Sequence, residues 1–127
     1  MNLNRMVFTG STAFSRLLLL TDAGRQAVLV VDVVHGEHVG YVAAPGTITG
    51  PRGVAAWGRK VAVGAGCVLL YEGSGVSWIM VCVIGNAVRP CGLRFSHYGQ
   101  ELVVAADRRA RILRVNDGAF VQTWPRV

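Results

Sequence analysis

A unit of about 40 residues recurs three times along the 127-residue chain, and this period restricts the fold more than any other feature. Pro51-Arg52-Gly53-Val54 returns 39 residues later as Pro90-Cys91-Gly92-Leu93. Apolar runs begin near Leu17, Val61 and Leu102, at spacings of 44 and 41 residues. A further run follows each of these: AVLVVD, CVLLYE and ARILRV. Each is succeeded by a Gly-bearing turn (HGEH, GSG or NDG) and then by a fourth apolar run. Twelve short runs result, rich in β-branched residues and closed by Gly, Asp or Asn. Runs of this length and punctuation, without helical periodicity, read as strands.

Four consecutive strands joined by short Gly-rich turns must pair antiparallel with their sequence neighbours. One such sheet has two apolar faces and cannot cover either; stacking sheets face to face buries both. This explains why the runs are almost continuously apolar instead of cleanly alternating. A composition of 52% hydrophobic and 16% charged residues with 16 glycines fits many short strands and tight turns. The expectation is an all-β chain, a β-propeller of about three four-stranded antiparallel blades. It forms one domain over residues 1–127, with blade 1 at about 4–44, blade 2 at about 50–87 and blade 3 at about 88–125. The innermost strand of blade 1 is expected within Asn4–Thr9, NRMVFT, in line with CGLRFS of the third unit. Propellers close with roughly four to eight blades, so three make a partial propeller or half-ring. Its end faces would be apolar. The chain is therefore expected to be a piece of a longer propeller, or to pair with a second copy as a homodimer closing a six-bladed ring.

The third unit runs from RPCGLRF through ELVVAAD and ARILRV to NDGAFVQTW. This order of Pro-x-Gly-apolar, turn, apolar run ending in Asp, polar turn, strand and Asp-Gly turn resembles the NHL-repeat β-propellers. The resemblance covers most of the chain, about three units. After the Asp, the first unit has Arg25-Gln26-Ala27, the third has Arg108-Arg109-Ala110-Arg111, and the second has GAGC in place of the Asp. The resemblance implies a non-catalytic scaffold for macromolecular, mainly protein, interaction. It also allows RNA binding through the third blade, or a fragment of a longer NHL-repeat protein with no independent activity.

The formal charge of +6 is unevenly placed. Residues 1–50 carry three Arg against three acids; residues 89–127 carry seven Arg against Glu101, Asp107 and Asp117. Arg108, Arg109, Arg111 and Arg114 are the candidate macromolecule-binding set, although Arg111 and Arg114 should fall on opposite faces of one strand. Pro51, Gly53, Pro90, Gly92, Asp22 and Asp107 are read as structural marks of the repeat. The two Asp are expected to bond the amides of the turn that follows. The HGEH turn, His35–His38, holds two His and one Glu, but no helix aligns them and a catalytic zinc needs three convergent ligands. No catalytic, metal or cofactor residues are expected, and no enzymatic activity. Trp57, Trp78 and Trp124 are expected to pack in the core or between blades. Cys67, Cys82 and Cys91 lack disulfide or zinc spacing and are expected as buried small hydrophobes in a reducing compartment. No run approaches the roughly 20 apolar residues of a membrane span. A cytoplasmic chain with a protein partner, without membrane contact, is the resulting expectation.

Overall fold

The computed structural model describes residues 6–84, 90, 92–106 and 108–124. Among them are twelve strands. The first four are β1 (Phe8–Phe14), β2 (Leu17–Asp22), β3 (Ala27–Asp32) and β4 (Glu37–Ala43). Next come β5 (Gly53–Trp57), β6 (Lys60–Gly64), β7 (Val68–Ser74) and β8 (Ser77–Ile84). The last four are β9 (Gly92–Ser96), β10 (Glu101–Ala106), β11 (Arg109–Arg114) and β12 (Phe120–Trp124). They form three four-stranded antiparallel sheets, each in sequence order, β1 to β4, β5 to β8 and β9 to β12. The first strands β1, β5 and β9 lie side by side, and β4 approaches β8 on the outer side. The chain is an all-β partial β-propeller of three blades.

The innermost strand of blade 1 differs from the expectation. It is Phe8–Phe14, not a segment within Asn4–Thr9, and a two-residue turn at Ser15 and Arg16 joins it to β2. The polar GST within it reads as a loop by composition. An innermost strand, however, has one edge turned away from the interblade core and tolerates small polar side chains. Gly10 is there for space. A Cβ at this position would stand 2.7 Å from the Arg52 carbonyl oxygen of the neighbouring blade.

The core lies between blades. Leu19, Val28 and Val30 of blade 1 meet Val54, Val61, Val63, Leu69 and Tyr71 of blade 2. Phe14 and Trp78 close the lower end of this interface edge to face, with ring centroids 5.3 Å apart. On the other side of blade 2, Ala55, Ala62, Val68 and Leu70 meet Phe95, Leu102, Val104 and Leu113 of blade 3. Blade 2 is thus covered twice, which accounts for the apolar runs 61–63 of β6 and 68–71 of β7. Each fully buried Val or Leu contributes roughly 1.5–3 kcal/mol relative to exposure.

Candidate interaction surface

The arginine set divides. Arg108 lies in the turn after β10, and Arg109 opens β11. Arg109 and Arg111 share a strand face with Leu113, which packs toward blade 2. Arg114 lies on the opposite face and pairs with Asp117 at 3.2 Å. Arg108, Arg109 and Arg111 are exposed and make no ion pair among the described residues. The four therefore do not form one stripe.

Asp22 is fully buried at the end of β2. Its Oδ1 accepts hydrogen bonds from the amides of Val7 (2.8 Å), Gly24 (3.0 Å) and Arg25 (3.2 Å), and Arg25 Nε donates to Oδ2 at 2.9 Å. Burial by itself would raise its pKa. The hydrogen bonds from Val7 and Arg25, with the Arg25 charge, outweigh it and hold the carboxyl below the ordinary value. The carboxylate thereby ties the turn after β2 to the Val7 amide that precedes β1. Its counterpart Asp107 lies outside the described residues. Pro51 and Pro90 are buried at the starts of β5 and β9. Gly53 pairs with Gly64, and Gly92 with Ala105.

The HGEH turn does not converge. His35 Nδ1 turns back to Asp32 Oδ2 at 2.9 Å, while His38 Nε2 bonds the Gly40 carbonyl at 2.7 Å and its ring packs on Tyr41. Among the described residues no three His, Cys, Asp or Glu side chains gather as a metal site.

Exposed apolar side chains occur on all three blades, and on blade 2 several run along one strand. The outer strand β8 presents Ile79 at 70% exposure, with Met80, Val81 and Val83 also exposed. Cys82 is exposed on the same strand and Cys67 half-buried, which corrects the expectation of burial for these two; Cys91 lies outside the described residues. An outermost strand pairs with one neighbour only, and beyond Trp78, which packs on Phe14 of blade 1, these β8 side chains are left exposed. Trp124 is likewise exposed and Trp57 partly so, although Trp57 lies against Gly99 and Tyr98 of blade 3; Trp78 is part-buried with its indole N–H on the Gly75 carbonyl at 2.8 Å.

A groove of about 700 Å³ opens at the lower end of blade 2, on the face turned toward blade 3. Its floor is one cross-strand row, Trp57–Lys60–Glu72–Ile79, taken from all four strands in register. Val81 extends the apolar end; Arg59 and Tyr98 line the sides. Tyr98 comes from the β9–β10 turn of blade 3, is 86% exposed, and meets Trp57 edge to face with centroids 6.3 Å apart. His97, Tyr98 and Gly99 are all left-handed, with φ of 49°, 55° and 81°. The turn is closed by bonds from Gly99 N to Ser96 O and from Gln100 N to His97 O. Sequence reasoning missed this groove. The available signal was the pair Lys60 and Glu72, the sole charges of β6 and β7, on strands otherwise apolar.

No protein-family model matches the chain, and no curated protein matches it. Solved structures do match in fold. A chain of the mitotic checkpoint complex superposes with a TM-score of 0.78 at 12% identity, over 97% of this chain and 38% of that one. The WD40 repeats of RRP9 match with a TM-score of 0.76 at 16% identity, over 93% and 38%. A computationally designed protein, Ika4, matches with a TM-score of 0.71 at 17% identity, over 94% and 73%. The chain thus spans between a third and two-fifths of the length of the first two. At these identities the likeness shows the propeller fold alone.

Proposed function

We propose that this chain is a non-catalytic β-propeller scaffold that holds a protein partner on its outer surface. The observation that carries the reading is the apolar rim of β8, where Ile79, Met80, Val81 and Val83 are exposed together along one strand edge. Ile79 and Val81 lie toward the blade 3 face and Met80 and Val83 toward the other, so exposed apolar side chains flank this strand edge on both sides, a surface that suits protein association. The neighbouring propellers support it as analogy only, since one belongs to a mitotic checkpoint complex. The order of repeat marks supports the finer reading of an NHL-type unit, with Pro51 and Pro90 buried where β5 and β9 begin. Free Cys67 and Cys82 suit a reducing, cytoplasmic setting. The test is proximity labelling in the source cells with the wild-type chain and with Val83→Glu. A labelled set that loses specific proteins on this change supports the rim; a set unchanged by it overturns the reading.

A second reading, RNA binding by blade 3, is favoured by the exposed Arg108, Arg109 and Arg111 without ion-pair partners among the described residues. It predicts binding that weakens steeply with salt. A mobility-shift assay at low salt that shows no complex, or one indifferent to Arg108→Ala with Arg109→Ala, removes it.

A further inference from the structure

We propose that the groove across the foot of blade 2 binds a short extended peptide of the partner, acidic at one end and aliphatic at the other. The inference deepens the scaffold reading and depends on it. Its floor crosses four strands spaced about 4.8 Å apart, so it spans about 15 Å, the reach of four or five extended residues. The chemistry along it is graded. Arg59 and Lys60 lie at the end near the aromatic pair; Ile79 and Val81 lie at the rim end. Neither Arg59 nor Lys60 has an ion-pair partner among the described residues, so both are available to a carboxylate.

The row departs from the pattern of the fold. On the opposite face of the same strands the matching row is Ala56–Val61–Tyr71–Met80, whose two central members, Val61 and Tyr71, are buried in the core. Lys60 and Glu72 replace that central pair on the blade 3 side. Closing blade 3 over them would desolvate two charges, so this end of the interface stays open while the row above it, Ala55–Ala62–Leu70, is buried. Over the open end the left-handed turn holds Tyr98 out beside Trp57. Non-glycine residues in this region of backbone cost energy and persist where surrounding structure enforces them, commonly at ligand clamps. Two amphipathic rings of this kind give large contact area with few rotors to freeze. Glu72 in the middle of the floor opposes the continuous charge of a phosphate backbone, whereas a peptide acidic at one end only sets neutral backbone amides against it.

The experiment is calorimetric titration of the full chain with three probes. These are a capped hexapeptide with glutamates at one end and leucines at the other, the same peptide with lysines for glutamates, and a hexauridylate. The acidic peptide is expected to bind saturably and about tenfold more tightly than the lysine peptide. Lys60→Glu should reverse that preference. Tyr98→Ala, at an exposed side chain, should weaken the acidic peptide about fivefold while the melting curve stays in place. Absence of saturable binding, equal binding of the two peptides, or tighter binding of the hexauridylate overturns the proposal. Lys60→Glu leaves the β8 side chains untouched. Peptide binding can therefore fail here while the labelling that depends on Val83 persists, which would retire the groove and keep the scaffold.

Discussion

Single residues hold the blades at fixed distances, and two of them make sharp predictions. Gly99 meets two demands. Its φ of 81° is left-handed, and a Cβ there would lie 2.3 Å from Trp57 Cδ1. Gly99→Ala is therefore expected to destabilise the chain by about 2 kcal/mol and to shift Trp57 fluorescence, read in a Trp78→Phe, Trp124→Phe background by thermal melting and emission. Asp22 makes a pH prediction. Its native pKa is lowered, so folding favours the ionised form. That contribution is fully present above the unfolded carboxyl value of about 4 and is lost as pH falls through the lower native value. Between about pH 5 and pH 2 the wild type should lose more stability than Asp22→Asn, whose side chain does not titrate. Parallel acid limbs in denaturant melts would contradict this. Asp22 was legible as a turn residue because Asp bonds amides two and three positions on. The Val7 amide at 2.8 Å was not legible, since it comes from 15 residues earlier.

At the scale of elements, all twelve expected strands are present among the described residues, and the error lay in where one of them begins. β2, β3, β6, β7 and β10 are inner strands of their sheets, flanked on both sides, and their apolar runs mark them directly. β1 is an edge strand lying against β5, so its sequence FTGSTAF answers to close backbone approach as much as to burial. β8 is the opposite kind of edge, apolar and exposed. Lysines on such an edge oppose strand-to-strand association without disturbing the sheet. Met80→Lys with Val83→Lys is expected to reduce concentration-dependent light scattering while costing about 0.5 kcal/mol or less, measured by denaturant unfolding. A loss of several kcal/mol would mean that these side chains are packed.

At the scale of the whole molecule, the question is what covers the two outward faces. By strand alternation Leu20 and Leu29 lie centrally on the outward face of blade 1, and Val103 and Ile112 on that of blade 3; Leu29 is buried within its own sheet and the other three are half-buried. The buried faces carry the same kind of central pair, Leu19 with Val30 and Leu102 with Leu113. Each outward face is thus of the type that a blade covers, and a second copy completing a six-bladed ring would supply both. That arrangement predicts a melting temperature that rises with protein concentration, and Ile112→Glu should abolish the rise. Leu102→Ala, in the interblade core, should cost about 3 kcal/mol at any concentration. Local sequence determined the strand count, the period and the antiparallel order, because turn chemistry and apolar patterning act over a few residues. The propeller fold followed, because four-stranded units with two apolar faces can only stack. Strand alternation already divided the arginines; tertiary structure alone decided the exposure of Cys82 and the groove at Trp57 and Tyr98. Each of these depends on how one blade sits against the next across about 40 residues of intervening chain, a distance over which no local pattern carries information.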